Sequence, residues 1–177
     1  MESSYKEYLK HITTFVLDVD GVLTDGTILI NTSGEMYRSM NVKDGFAMKT
    51  AVDLGYHICV ISGGSNEGVR KRLEGLGITD IHLGTHNKTE TLRTYASEKN
   101  IALENVLYVG DDIPDMDVMK IVGLPVCPQD AVPEIKAISK YVSHKKGGKG
   151  CVREVIEQVL KVQGKWVGNG GTSAKYD

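Results

Sequence analysis

The 177-residue sequence holds little of what would mark several specialised classes. Its three cysteines, Cys59, Cys127 and Cys151, show no paired spacing, so reduced thiols in or near the core are expected rather than a disulfide framework. The histidines at 11, 57, 82, 86 and 144 are scattered, with no His-Glu-x-x-His spacing, and a zinc site has little support. Twenty-one basic residues against 23 acidic ones leave a net charge of −2 and no broad basic field, which argues against a nucleic-acid partner. No apolar segment approaches the roughly 20 residues that a membrane helix needs. Met1 to Lys10 is polar rather than signal-like, so a cytoplasmic protein without membrane attachment is expected. A hydrophobic content of 41% at this length suffices for one domain with a real core.

What is present is a recurring pattern of apolar strand, polar corner and helix. Thr14-Phe15-Val16-Leu17 is an apolar run ending in Asp18-Val19-Asp20-Gly21. A strand buried on both faces reads as continuous apolar sequence, and the carboxyl end of such a strand is where ligands bind in an open parallel sheet. Residues two apart in extended chain point the same way, so Asp18 and Asp20 could reach one bound group, and Gly21 permits a sharp turn after them. A polar turn closing a strand is the plainer alternative. Thr27–Ile30 and Glu35–Met40 flank Asn31-Thr32-Ser33-Gly34 and read as a β-hairpin inserted at about residues 26–41.

Further along, Phe46, Ala47, Met48, Ala51, Val52 and Leu54 have helical spacing, stopped by Gly55. Tyr56–Ile61 is a second core strand ending in Ser62-Gly63-Gly64-Ser65, followed by a helix carrying Val69, Leu73 and Leu76 and closed by Gly77. Ile81–Leu83 is a third strand, and Asn87 or Thr85 could cap the next helix. Lys88 lies in that helix's first turn, where it opposes the macrodipole; a solvated surface lysine is the alternative to a functional one. Val106–Val109 leads into Gly110-Asp111-Asp112-Ile113-Pro114-Asp115, with Pro114 suited to start a helix through Met116, Val118, Met119, Ile121 and Val122. A strand at Leu124–Cys127, a Pro133-initiated helix, an edge strand at Tyr141–Val142 and a strongly amphipathic helix carrying Val152, Val155, Ile156, Val159 and Leu160 complete the domain. Residues 165–177 read as a disordered tail. The alternation predicts an α/β fold of Rossmann-like type, a parallel sheet with helices on both faces.

Three strand ends would then bring Asp18, Asp20, Ser62, Gly63, Asp111 and Asp112 to one edge. Carboxylates converging on a point repel one another, and a hard cation such as Mg²⁺ normally holds such a cluster. The Ser62 hydroxyl, the backbone N–H groups near Gly63 and the Lys88 ammonium would supply donors for phosphate oxygens. A carboxylate can attack phosphorus directly, and a second one nearby can shuttle the proton.

Asp18-Val19-Asp20-Gly21-Val22, the strand ending at Ser62, Lys88, and Gly110-Asp111-Asp112-Ile113-Pro114-Asp115 resemble, in order and context, the four motifs of the haloacid dehalogenase superfamily. The resemblance covers nearly the whole of residues 1–164, with the hairpin in place of a cap domain. It implies Asp18 as nucleophile, Asp20 as general acid/base, Ser62 and Lys88 as phosphate ligands, and Asp111 as a Mg²⁺ ligand together with Asp18 and the Asp20 carbonyl. Asp112 and Asp115 would support the metal or Lys88. Asp20-Gly21-Val22-Leu23-Thr24-Asp25-Gly26, Asp44-Gly45 and Gly147-Gly148-Lys149-Gly150-Cys151-Val152-Arg153-Glu154 are similar to the branch acting on 3-deoxy-2-ketoaldonic acid phosphates. That likeness implies the eight-carbon 3-deoxy-D-manno-octulosonate 8-phosphate as substrate and a homotetramer whose hairpins pack together. Nine-carbon ketoacid 9-phosphates are the alternative substrate, and a receiver-like or catalytically silent protein is the alternative of another class. Arg72, Lys146 and Lys149 are candidate cations for the substrate carboxylate, with solvated surface charge the alternative for each.

Overall fold

The computed structural model describes residues 4–166. Its centre is a six-stranded, wholly parallel sheet in the order β5-β4-β1-β6-β7-β8. These strands are β1 (Thr14–Leu17), β4 (His57–Ser62), β5 (Asp80–Leu83), β6 (Val106–Val109), β7 (Leu124–Cys127) and β8 (Tyr141–Val142). β2 (Leu29–Ile30) and β3 (Met36–Tyr37) form the separate antiparallel hairpin. The helices are α1 (Tyr5–Leu9), α2 (Val42–Asp53), α3 (Glu67–Glu74), α4 (Lys88–Glu98), α5 (Met116–Met119), α6 (Pro133–Ile138) and α7 (Cys151–Val162).

The unbroken apolar character of the central strands follows from cover on both faces. Phe15 and Leu17, Ile58 and Val60, and Leu107 and Val109 point into one core, with side chains of α1, α2, α3 and α7. Val16, Cys59, Ile61, Val106 and Tyr108 point into the other, with Leu92 and Tyr95 of α4, Val118 and Met119 of α5, and Ile135 of α6. Every apolar position read on α7 is buried in the first core. The three cysteines are free and buried.

Leu17 is in register with Val60 on one side and Val109 on the other, and the Asp18 N–H donates to the Val109 carbonyl at 3.1 Å. The chain runs from β1 outward to β4 and β5, then crosses back to β6. The strand order therefore reverses beside β1, and a crevice opens there at the carboxyl ends of the strands.

Several boundaries differ from the sequence reading. α1 was not anticipated; it is short and polar, and its ordering comes from Tyr5, which stacks on Tyr141 at 4.5 Å and donates to Gln158 Oε1 at 3.0 Å. Helix α3 ends at Glu74, with Leu76 already in the turn to β5. Pro114 sits in a 3₁₀ turn, Ile113–Asp115, and α5 stops at Met119, because Gly123 must donate to the Leu103 carbonyl for the chain to enter β7. Trp166, assigned to the tail, is buried edge-on to Phe46 at 6.2 Å; the rest of that segment lies outside the described residues.

Candidate active site

A cleft of about 520 Å³ opens at the carboxyl edge of the sheet, lined among others by Asp18, Asp20, Ser62, Gly63, Lys88 and Asp111. The chain leaves β1 in extended form through Asp18 and then closes a wide turn, Val19–Leu23, in which Gly21 has φ 85°. Asp18 is buried, and its Oδ1 accepts from the Val19 N–H at 2.7 Å, which holds the carboxylate plane at the turn's entrance.

Lys88, at the start of α4, is 8% exposed, so the solvated-lysine reading does not hold. Its Nζ lies 3.0 Å from Asp18 Oδ2 and 2.7 Å from Asp115 Oδ1. Asn87 caps the helix, accepting from the Glu90 N–H at 3.0 Å, so the cap and not Lys88 satisfies the helix end. Burial works against the lysine charge, but Asp18 and Asp115 outweigh it and hold its pKa above the ordinary value. Asp115 is fully engaged: Oδ1 also accepts from the Tyr108 hydroxyl at 2.8 Å, and Oδ2 accepts from the Asp111 N–H at 3.1 Å.

Asp111 follows β6 and faces Gly21. A Cβ at Gly21 would fall inside the Asp111 carboxylate, so the turn after Asp18 needs a residue without one, beyond its need for positive φ. Burial, followed by the charges of Asp18, Asp115 and Asp112, pushes the Asp111 carboxyl up to about 7. Burial and the Asp115 charge likewise raise Asp18, against the pull of Lys88.

The second carboxylate of the pair, Asp20, meets a partner the sequence did not suggest. Arg38, just past β3, donates from Nε to Asp20 Oδ1 at 2.6 Å and from Nη2 to Oδ2 at 3.1 Å. That bidentate bond raises the pKa of the guanidinium further. Ser62, the last residue of β4, is buried, and its hydroxyl accepts from the Gly64 N–H at 3.3 Å, while the Thr85 N–H donates to the Ser62 carbonyl at 3.1 Å. These bonds hold the β4–α3 and β5–α4 corners together at the cleft.

The loop before α7 buttresses the turn. The Gly148 N–H donates to the Val22 carbonyl at 2.9 Å, and a Cβ at Gly147 would run into the Gly21 carbonyl. Gly150 has no side chain to cap α7, and Asp44 of α2 does so across the interface, accepting from the Arg153 N–H at 2.7 Å. This gives Asp44, and the tight Gly-Gly pair, a physical role at a distance from the cleft.

Of the remaining candidates, the three basic ones stand apart from the cleft lining. Asp112 lines it, but its Oδ1 accepts from the Ile113 N–H at 2.7 Å and it makes no contact with Lys88. Arg72 lines an adjoining groove of about 640 Å³ together with Arg38, Met36, Met40 and Asn66. Lys146 is exposed on the loop, and Lys149 is paired with Asp25 at 3.2 Å. Arg38 and Tyr108 were missed: a hairpin arginine carries no local signal, whereas a tyrosine inside an apolar strand does signal a hydroxyl that needs a buried partner.

A divalent cation fits this donor set. Oxygens from Asp18, Asp111 and Asp115 lie within 4.8 Å of one another. Asp115 already accepts three bonds, from Lys88, Tyr108 and the Asp111 N–H, whereas Asp18 accepts one on each oxygen, so Asp18 and Asp111 keep the greater capacity for an ion. Their upward-shifted pKa values express burial first and carboxylate repulsion second, and a hard cation favours the ionised form against both.

Comparison with known proteins points the same way. The family model for haloacid dehalogenase-like hydrolases matches residues 75–156. The 3-deoxy-D-manno-octulosonate 8-phosphate phosphatase of Salmonella typhi is 40% identical over 156 residues, spanning 88% of this chain and 83% of that protein. The crystal structure of the Yersinia pestis phosphatase of that name superposes with a TM-score of 0.91 at 32% identity, covering 94% of this chain and 90% of that one. The Moraxella catarrhalis phosphatase, solved with magnesium, phosphate and KDO, superposes with a TM-score of 0.88 at 33% identity, covering 92% and 94%.

Proposed function

This chain belongs to the haloacid dehalogenase-like hydrolases, and from that premise we propose that it is a Mg²⁺-dependent phosphatase converting 3-deoxy-D-manno-octulosonate 8-phosphate to the free sugar acid and phosphate. The observation that carries the reading is the convergence of Asp18, Lys88 and Asp111 in the crevice beside β1, in a chain 40% identical to phosphatases of that compound.

In this mechanism a carboxylate oxygen of Asp18 attacks phosphorus, forming an aspartyl-phosphate as the bond from phosphorus to the sugar C8 oxygen breaks. Asp20 gives its proton to that departing oxygen, and then takes one from the water that attacks the aspartyl-phosphate and frees Asp18. Lys88 favours the ionised form of Asp18 against burial and draws the phosphoryl oxygens toward it, held in place by Asp115 and, through Asp115, by Tyr108. Ser62 and the Gly63 backbone donate to the same oxygens. Mg²⁺, held by Asp18, Asp111 and the Asp20 carbonyl, neutralises charge on the phosphoryl group when bound. Arg72, in the groove lined also by Arg38, takes the sugar-acid carboxylate.

The enzyme acts as a cytoplasmic homotetramer in this reading. Leu29 and Ile30 of the hairpin are 69% and 62% exposed, and Met36 and Tyr37 are about half exposed, an apolar ribbon that calls for a cover. Packing hairpin against hairpin buries it. Among the described residues no helix is long and apolar enough to cross a membrane.

The test is phosphate release, with and without Mg²⁺, from eight-carbon and nine-carbon ketoacid phosphates beside hexose phosphates. Preference for the eight-carbon compound is expected; preference for a nine-carbon one would keep the chemistry and move the substrate. No release from any would refute the reading.

A further inference from the structure

We infer that Arg38 is the positioning residue for Asp20, carried to it by the hairpin, and that position 64 is a glycine because the Arg38 guanidinium occupies the space its side chain would need. The inference rests on the phosphatase reading, in which Asp20 moves the proton.

Three observations support it. The Arg38 side chain is 7% exposed, whereas Met36 and Tyr37 before it are exposed, so this arm sends its cation inward and leaves these apolar and aromatic side chains out. Its planar fork meets both oxygens of Asp20, a geometry that fixes the carboxylate plane as a single lysine charge would not. The arm is itself anchored: Asn66 Nδ2 donates to the Met36 carbonyl at 3.0 Å, tying it to the corner that follows β4.

Position 64 completes the arrangement. A Cβ there would stand 3.2 Å from Asp20 Oδ2 and 3.3 Å from Arg38 Nη2, tighter than ordinary contact with both partners at once. A side chain there would press on both partners, and one branched at Cβ would press hardest. Asp20 lies beyond the end of β1, in the turn preceding Gly21, and no other side chain among the described residues is bonded to its carboxylate. Its rotamer therefore depends on a residue of the hairpin, and so the hairpin's placement becomes part of the proton-transfer geometry.

A double-mutant cycle tests this. Arg38→Met should lower kcat on an alkyl phosphate about 10- to 100-fold, a fraction of what general acid/base catalysis supplies, while KM changes little. Arg38→Lys should restore part of the loss. On p-nitrophenyl phosphate, whose leaving group needs no proton, the drop in the phosphorylation step should be smaller. In an Asp20→Asn background Arg38→Met should add nothing, and Gly64→Val should lower kcat in the wild-type background but not in Arg38→Met. A rise in KM alone, or an equal loss with and without Asp20, would assign Arg38 to the substrate and overturn the inference. Crystal structures give a readout independent of activity. In Arg38→Met the Asp20 side chain should leave its wild-type rotamer. An unmoved Asp20 would refute the positioning role even if no phosphomonoester were hydrolysed.

Discussion

Replacing Lys88 by methionine keeps the length of the side chain and removes its charge, leaving Asp18 and Asp115 facing each other across the vacated ammonium position. At 3.0 Å and 2.7 Å, and an effective dielectric near 20, each ion pair is worth about 5 to 6 kcal/mol of gross attraction. The cost of burying the ammonium offsets most of that, so the expected net loss is about 3–5 kcal/mol, the usual result of removing one partner from a buried cluster. The loss should depend on pH. Asp18, raised by burial even with the lysine present, binds its proton more tightly still without it, so the variant's stability falls more steeply as pH rises, and the deficit should be larger at pH 8 than at pH 5. Urea denaturation of both proteins at the two pH values, in a chelator, reads this directly; phosphate release should fall in parallel. A Lys88→Met protein as stable as wild type at pH 8, or with a deficit independent of pH, would refute the account of Lys88 as the cation that holds this cluster together.

Asp18→Asn should abolish turnover yet leave the melting temperature in chelator unchanged or higher, since it removes a buried carboxylate whose pKa is raised; residual Mg²⁺-dependent phosphate release at the wild-type rate would remove Asp18 from the mechanism. Asp44 is lifted by burial from 3.8 to about 6, so its folded form holds the proton more tightly and stability falls between about pH 4 and 6, by up to roughly 3 kcal/mol. Asp44→Asn should flatten that slope in denaturation midpoints taken across the interval. Gly147→Ala should cost about 1–3 kcal/mol and lower kcat together, because the new Cβ meets the Gly21 carbonyl behind the catalytic turn; unchanged melting and kinetics would dismiss the buttress. Saturating Mg²⁺ at 100 times its Kd should add about 2.7 kcal/mol to wild-type stability and much less to Asp111→Asn, as read by thermal melts.

The fold and the carboxylates and hydroxyl that line the cleft were legible in the sequence for a simple reason. A parallel sheet covered on both faces writes its strands as unbroken apolar runs, and its binding edge is where those runs stop, so Asp18, Ser62 and Asp111 announce themselves by adjacency to a strand end. Boundaries of short elements were less legible. α1 is ordered by Tyr141 and Gln158, which lie more than 130 residues away, and α5 is cut short by the backbone demands of Gly123.

What only the tertiary structure decided is the pairing of charges. Lys88 in a helix's first turn has no local rationale until Asp18 and Asp115 are brought to it. Arg38 beside an exposed hairpin looks like any surface arginine until the hairpin folds back over Asp20 and Gly64 leaves it room. Asp44 caps a helix that begins over a hundred residues later. Chain propensities are local and periodic, so sequence records them; which carboxylate meets which cation depends on where crossovers bring distant segments, and that is a property of the packed chain alone.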